Sequence, residues 1–217
     1  MGAGQFCTKP GLVFVVGEDI GEALGATMVS ALESAGEGVL LSRGVLESLD
    51  SGVSQVEDAG AILLVGGMRS AEPGFRYPPT LLMTNGQSFL EMPDSMQREL
   101  FGPAAIIVVC ANDEELIAAL HALEGQLTAC LWMNDADVGT ALYTNARSVL
   151  RRQAGRLLEN KMPTGVAVVP TMVHGGPFPA TSHPGFSAVG LPGSIRRFAA
   201  LRCYDNVAND RLPASLR

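Results

Sequence analysis

Gly2-Ala3-Gly4-Gln5-Phe6-Cys7-Thr8-Lys9-Pro10-Gly11-Leu12-Val13-Phe14-Val15-Val16 opens the chain, and its reading decides the fold. Glycines at 2, 4 and 11 let the backbone approach a ligand closely or take a positive φ. Pro10 biases Lys9 away from helix. The apolar run Leu12–Val16 reads as a buried strand. The stretch is therefore a thiol on a stiff, glycine-rich turn that feeds a core strand. Two readings of Cys7 stand side by side: an activated nucleophile, or a packed core thiol, since cysteine is among the most buried residue types.

Working outward, residues 18–35 place Ile20, Leu24, Met28 and Leu32 at helical spacing, and Gly36 reads as the stop. Leu46, Leu49, Val53 and Val56 predict a second helix over 44–59. Ala61–Val65 suits a fully buried strand, and 68–79 a surface loop. Thr80–Met83 reads as a short strand and Asn85-Gly86 as a turn. A helical turn over 95–100 carries Glu99, with Gly102-Pro103 as its stop. Residues 104–110 are a buried strand. Asn112 opens a helix whose apolar face is Leu116, Ile117, Leu120 and Leu123, with Gly125 at its end and His121 beside that face. A strand over 127–132 follows, then a helix from Asp137 to about Gln153. From 155 to 169 the chain reads as strand, turn, strand. Repeated βα alternation predicts an α/β fold with a mostly parallel sheet flanked by helices.

Composition limits the function classes. Of 217 residues 47% are hydrophobic and 17% charged, enough for a sizeable core and against disorder. A net charge of −7 argues against nucleic acid and against anionic membrane surfaces as partners. No apolar run reaches the roughly 18–20 residues of a membrane span. Cysteines 7, 110, 130 and 203 show neither a C-x-x-C pair nor metal-ligand spacing, so no metal site is expected. With no signal peptide ahead of the turn, the expected location is cytoplasmic.

Three motifs in order resemble one family. Gly4-Gln5-Phe6-Cys7-Thr8-Lys9-Pro10-Gly11 resembles the active-site cysteine motif of the aldehyde dehydrogenase superfamily. Glu99-Leu100-Phe101-Gly102-Pro103 resembles its E-x-F-G-P signature. Pro163-Thr164-Gly165-Val166, then Met172-Val173-His174-Gly175-Gly176-Pro177-Phe178-Pro179-Ala180-Thr181 with Ser194-Ile195-Arg196-Arg197-Phe198, is similar to the NADP-preferring branch that holds α-ketoglutaric semialdehyde and fatty-aldehyde dehydrogenases.

The resemblance implies roles. Cys7 becomes the nucleophile that adds to an aldehyde, its backbone N–H half of an oxyanion hole. Glu99 accepts hydrogen bonds from the nicotinamide ribose hydroxyls, and Phe101 packs near the nicotinamide of NADP (or NAD). The 174–185 loop, with His174 and Phe178, is a substrate-entrance loop. His174 and His183 are less suited as general bases, because the family uses a glutamate. Arg196 and Arg197 either meet an acidic substrate or cap a helix end. The resemblance further implies residues 1–200 as a catalytic-domain portion and 201–217 as a C-terminal oligomerisation strand that pairs with a neighbouring subunit in a homo-oligomer.

In that family the dinucleotide-binding domain, the general-base glutamate and the oxyanion-hole asparagine precede the cysteine. The expectation is that an N-terminal dinucleotide-binding domain is absent from this chain, which then reads as truncated and inactive alone. The other readings are a residual thiol esterase acting through Cys7 and a non-enzymatic interaction module.

Overall fold

The computed structural model describes residues 2–167, 169, 172, 175–184, 198–200 and 202–217. Its main sheet has the strand order β1-β6-β5-β3: Leu12–Val16, Ala104–Cys110, Thr80–Asn85 and Ile62–Val65. β1 and β5 both run parallel to the central β6, with Leu12 opposite Ile106 and Thr80 opposite Ala104. The strand β3 is antiparallel to β5. A separate parallel pair joins β7 (Gln126–Leu131) to β8 (Ala154–Glu159). The α/β fold with a mostly parallel sheet is as expected.

Central β6 is wholly apolar, and Ile106, Ile107, Val108 and Cys110 are buried along it. That pattern is what a parallel strand covered on both faces requires. α1 (Glu18–Glu33) packs on β6, β3, β5 and β1. α2 (Arg43–Asp58), N-capped by the Ser42 side chain, buries the predicted stripe Leu46, Leu49, Val53 and Val56. α3 (Gly86–Glu91) and α5 (Asp113–His121) contribute Phe89 and Leu116 to the core. Phe89 meets Phe14 of β1 edge to face at 5.3 Å. α6 (Ala141–Gln153) packs on α5 and β8 and buries Ala146, Val149 and Leu150. A small antiparallel pair joins β2 (Gly38–Val39) to β4 (Arg76–Tyr77).

Several expectations are corrected. β3 is an edge strand with Ile62 68% exposed, because the sheet ends there, so it is not fully buried. Asn85-Gly86 is no turn: the Asn85 side chain accepts from Ser88 N at 2.7 Å and caps α3. The 68–79 loop contains β4. The helix expected over 95–100 is α4, Pro93–Met96, and Glu99 lies beyond it, outside any helix or strand. α5 ends at His121, before Gly125; His121 is exposed, and its carbonyl accepts from the Gln153 side chain. Thr140 caps α6, while Asp137 closes a preceding 3-10 turn. After β8, residues 161–167 form no second strand. Residues 202–217 hold two 3-10 turns, Asn209–Arg211 and Ala214–Leu216, and no strand among the described residues.

Candidate active site

The parallel pairing of β1 with β6 sets the site. The Cys7 turn enters β1 and the Glu99–Pro103 segment enters β6, so both motifs stand at the amino ends of adjacent strands. They meet backbone to backbone. Gly4 has φ +71°, and a Cβ there would lie 2.6 Å from the Gly102 carbonyl carbon and 3.0 Å from Pro103 N. Only glycine permits both the conformation and the approach. Gly102 in turn rests on Leu49 and Leu40, and Leu100, 5% exposed, sits over Gly52 of α2. Arg98 bonds Gln55 of α2 at 2.8 Å. The second motif is thus anchored on α2, and the first is anchored on the second.

Side chains complete the mounting. Gln5 donates to the Val39 carbonyl at 3.2 Å and accepts from Leu41 N at 2.8 Å, which ties the turn to β2. Lys9 donates to the carbonyls of Leu100, at 3.3 Å, and Ala104. The Gly11 carbonyl accepts from Ile106 N at 2.9 Å, which starts the β1–β6 ladder. Burial lowers the Lys9 ammonium to about 8 from an ordinary 10.5, against the opposing pull of the Glu99 carboxylate.

Within this frame Cys7 is exposed, Thr8 buried and Phe6 40% exposed. All four cysteines are thiols, and burial, aided by Glu115, pushes Cys110 up to about 11. Of the expected nucleophile and core thiol, Cys7 has the exposure of the first and Cys110 the burial of the second. Glu99 is exposed and Phe101 half-buried on the segment against which the thiol-bearing turn docks. A groove of about 290 Å³ runs between Gly4, Lys9, Met28, Leu32, Pro79 and Thr80. Cys7 is not among its lining residues, so it is not the thiol's approach path.

The third motif lies elsewhere. Arg156 of β8 donates to the Gly165 carbonyl at 2.8 Å and to the Pro163 carbonyl, and so clamps the 163–166 loop. Gly125 and Gly155, at the starts of β7 and β8, are in close contact with Pro177 and Gly175 backbone atoms. Phe178, 80% exposed, therefore stands over the amino end of the β7–β8 pair. His183 is exposed. His174, Arg196 and Arg197 lie outside the described residues. The structure brings Cys7, Glu99 and Phe101 onto one docked pair of turns, and Phe178 belongs to a separate loop. Lys9 and Gln5 were not foreseen; the signal available was that Lys9 is the one charged residue in 1–17.

No helix among the described residues is long and apolar enough to cross a membrane, and no group of three or more His, Cys, Asp or Glu among them is placed to hold a metal ion. The model of the aldehyde dehydrogenase family matches residues 1–177. Two relatives align over the full chain. "Alpha-ketoglutaric semialdehyde dehydrogenase 2" of Azospirillum brasilense is 40% identical, and "Alpha-ketoglutaric semialdehyde dehydrogenase" of Acinetobacter baylyi is 33% identical. The chain spans 41% of the length of each. Among solved structures, lactaldehyde dehydrogenase from Escherichia coli superposes with TM-score 0.67 at 22% identity, over 81% of this chain and 36% of that one. A Sinorhizobium meliloti NAD-dependent aldehyde dehydrogenase gives 0.63 at 26% identity, over 78% and 34%.

Proposed function

The chain belongs to the aldehyde dehydrogenase family, and from that premise we propose that it carries the nucleophile and part of the cofactor-facing surface of an enzyme that oxidises an aldehyde, 2-oxoglutarate semialdehyde, to its carboxylic acid. The observation that carries this reading is the docking of the Cys7 turn on the Glu99–Pro103 turn. It sets an exposed thiol and an exposed carboxylate on one rigid mount. Residues 1–200 are the catalytic portion, 201–217 a pairing tail, and the working form a homo-oligomer.

In this reading the Cys7 thiolate adds to the carbonyl carbon. A C–S bond forms, the π pair moves to oxygen, and a thiohemiacetal results. NADP, or NAD, when bound would supply the hydride acceptor for this oxidation, and water would then release the acid from the Cys7 sulfur. Glu99 suits the cofactor's ribose, since an exposed carboxylate can accept from both hydroxyls of a diol. Phe101 offers an apolar edge beside it. In this reading Phe178 and His174 belong to the substrate-entrance loop. The names of the relatives from Azospirillum brasilense and Acinetobacter baylyi favour the five-carbon semialdehyde over a fatty aldehyde.

Iodoacetamide labelling with peptide mapping tests the first step. Cys7 labels fastest of the four cysteines, and 2-oxoglutarate semialdehyde slows Cys7 but not Cys203. Equal protection of both thiols, or faster labelling at Cys110, would remove Cys7 as nucleophile.

A further inference from the structure

Lys9 is used neither by the proposed chemistry nor by the apolar core. It leaves the Cys7 turn on the groove side, and its ammonium donates to the carbonyls of Leu100 and Ala104. Those two carbonyls bracket Phe101-Gly102-Pro103, the residues on which the Cys7 turn is seated. Two residues before the thiol, Gln5 bonds the chain at β2, to the Val39 carbonyl and Leu41 N. The thiol is thus flanked in sequence by two side chains, each two positions away and each bonded to main-chain atoms of another segment.

Main-chain acceptors make a rigid mount. The Ala104 carbonyl opens β6 and cannot move without disturbing its ladder with β1 and β5. A lysine whose role was solubility would place its ammonium in water. This one stays half-buried on the two carbonyls although burial lowers its pKa to about 8, and Glu99 is the charge that acts to keep it protonated.

We infer that Lys9 is a positioning residue: its two carbonyl bonds hold the Cys7 turn on the Glu99–Phe101 turn and so set where the thiol stands relative to the cofactor-facing carboxylate. The inference rests on the reading of Cys7 as nucleophile.

The test is the iodoacetamide labelling rate of Cys7, Cys110 and Cys203 at about pH 7 in the 217-residue chain, as wild type, Lys9→Met and Lys9→Arg. In K9M the Cys7 rate changes at least about threefold, while buried Cys110 and exposed Cys203 hold their rates, because reactivity follows local access and thiolate character. K9R restores Cys7. An unchanged Cys7 rate in K9M, or no restoration by arginine, overturns the inference. So does a parallel rise at Cys110, which would show that Lys9 only supports the fold.

Should K9M fail to fold, Glu99→Gln replaces it, since Glu99 is exposed. Without that carboxylate the ammonium loses its proton at lower pH, and its bonds to the carbonyls lose their charge assistance. Cys7 labelling then departs from wild type near pH 8 and matches it near pH 6. Agreement at both also overturns the inference. A wild-type Cys7 that labels no faster than Cys203 counts instead against the nucleophile. The Lys9 result stays readable then, as a ratio between variants at one thiol.

Discussion

Gly4→Ala is the sharpest perturbation of the docked turns. Gly4 holds φ +71°, a left-handed conformation that costs a residue with a Cβ roughly 1–2 kcal/mol. The added methyl lies 2.6 Å from the Gly102 carbonyl carbon and 3.0 Å from Pro103 N. Neither neighbour is a flexible side-chain end; both are backbone. Forcing the two apart is an overpacking cost of about 1–3 kcal/mol. Alanine also narrows the unfolded ensemble, which returns about 0.4–1 kcal/mol. The net destabilisation centres on about 3 kcal/mol, or roughly 6–12 °C in Tm at the usual scaling for a chain of this size. Gly11→Ala is the matched control. It lies in the same motif, takes no left-handed φ, and has nothing within 4 Å of its added Cβ. Its effect should stay within about 1 kcal/mol either way. Thermal melting by circular dichroism reads both. A Gly4→Ala midpoint within about 2 °C of Gly11→Ala would show that the turns are not docked through Gly4 and Gly102.

Stability should depend on pH through Lys9. Its ordinary pKa is 10.5 and its folded value about 8, so between those values the unfolded chain binds more protons and stability rises with pH. Cys110 opposes this only above about 9, because its thiol ionises first in the unfolded chain, and Tyr77, whose phenol is pushed upward first by burial, later still. Urea titrations at pH 8 and 9 should therefore show a gain of about 1 kcal/mol that Lys9→Met abolishes; a flat wild-type response is the refuting result. Phe89→Ala removes a fully buried ring stacked edge to face on Phe14 and should cost about 3–5 kcal/mol by the same titration, with a loss under about 1 kcal/mol contradicting the packing described. Sedimentation velocity at micromolar concentration should show a species heavier than 22.7 kDa that reverts on removal of residues 201–217; an unchanged sedimentation profile after that cut would remove the pairing role of the tail.

Periodicity made α2 and β6 legible, because the Leu46–Val56 stripe and Ala104–Cys110 each state how they are buried, whereas Leu12–Val16, expected as a buried strand, is half-buried throughout because it forms the other edge of the sheet. The misses share a cause. Asn85 and Asp137 suit a turn, a cap or a 3-10 closure equally, since their short polar side chains bond whichever backbone N–H is near. Long-range packing made the choice. Ile62–Val65 has the composition of a central strand, and only the pairing order leaves it at the edge. At the site, Cys7, Glu99 and Phe101 were legible as motif residues. Their juxtaposition was not, because it depends on β1 pairing in parallel with a strand some ninety residues on, with Leu12 opposite Ile106. Lys9 was passed over because its partners are carbonyls, which any sequence supplies.

That parallel pairing also governs how such a site can change over time. The thiol and the carboxylate ride on turns at the heads of two hydrogen-bonded strands, so their spacing follows the register between β1 and β6. Register moves only in whole residues, about 3.3 Å a step, and a single step turns every side chain to the opposite face. The gap between the Cys7 thiol and the Glu99 carboxylate is therefore closed to gradual adjustment by the scaffold. Variation is channelled into side chains that project from the turns and into loops, such as the one bearing Phe178, that hang on other strands. A lineage can alter those segments while the distance between thiol and carboxylate stays one fixed dimension.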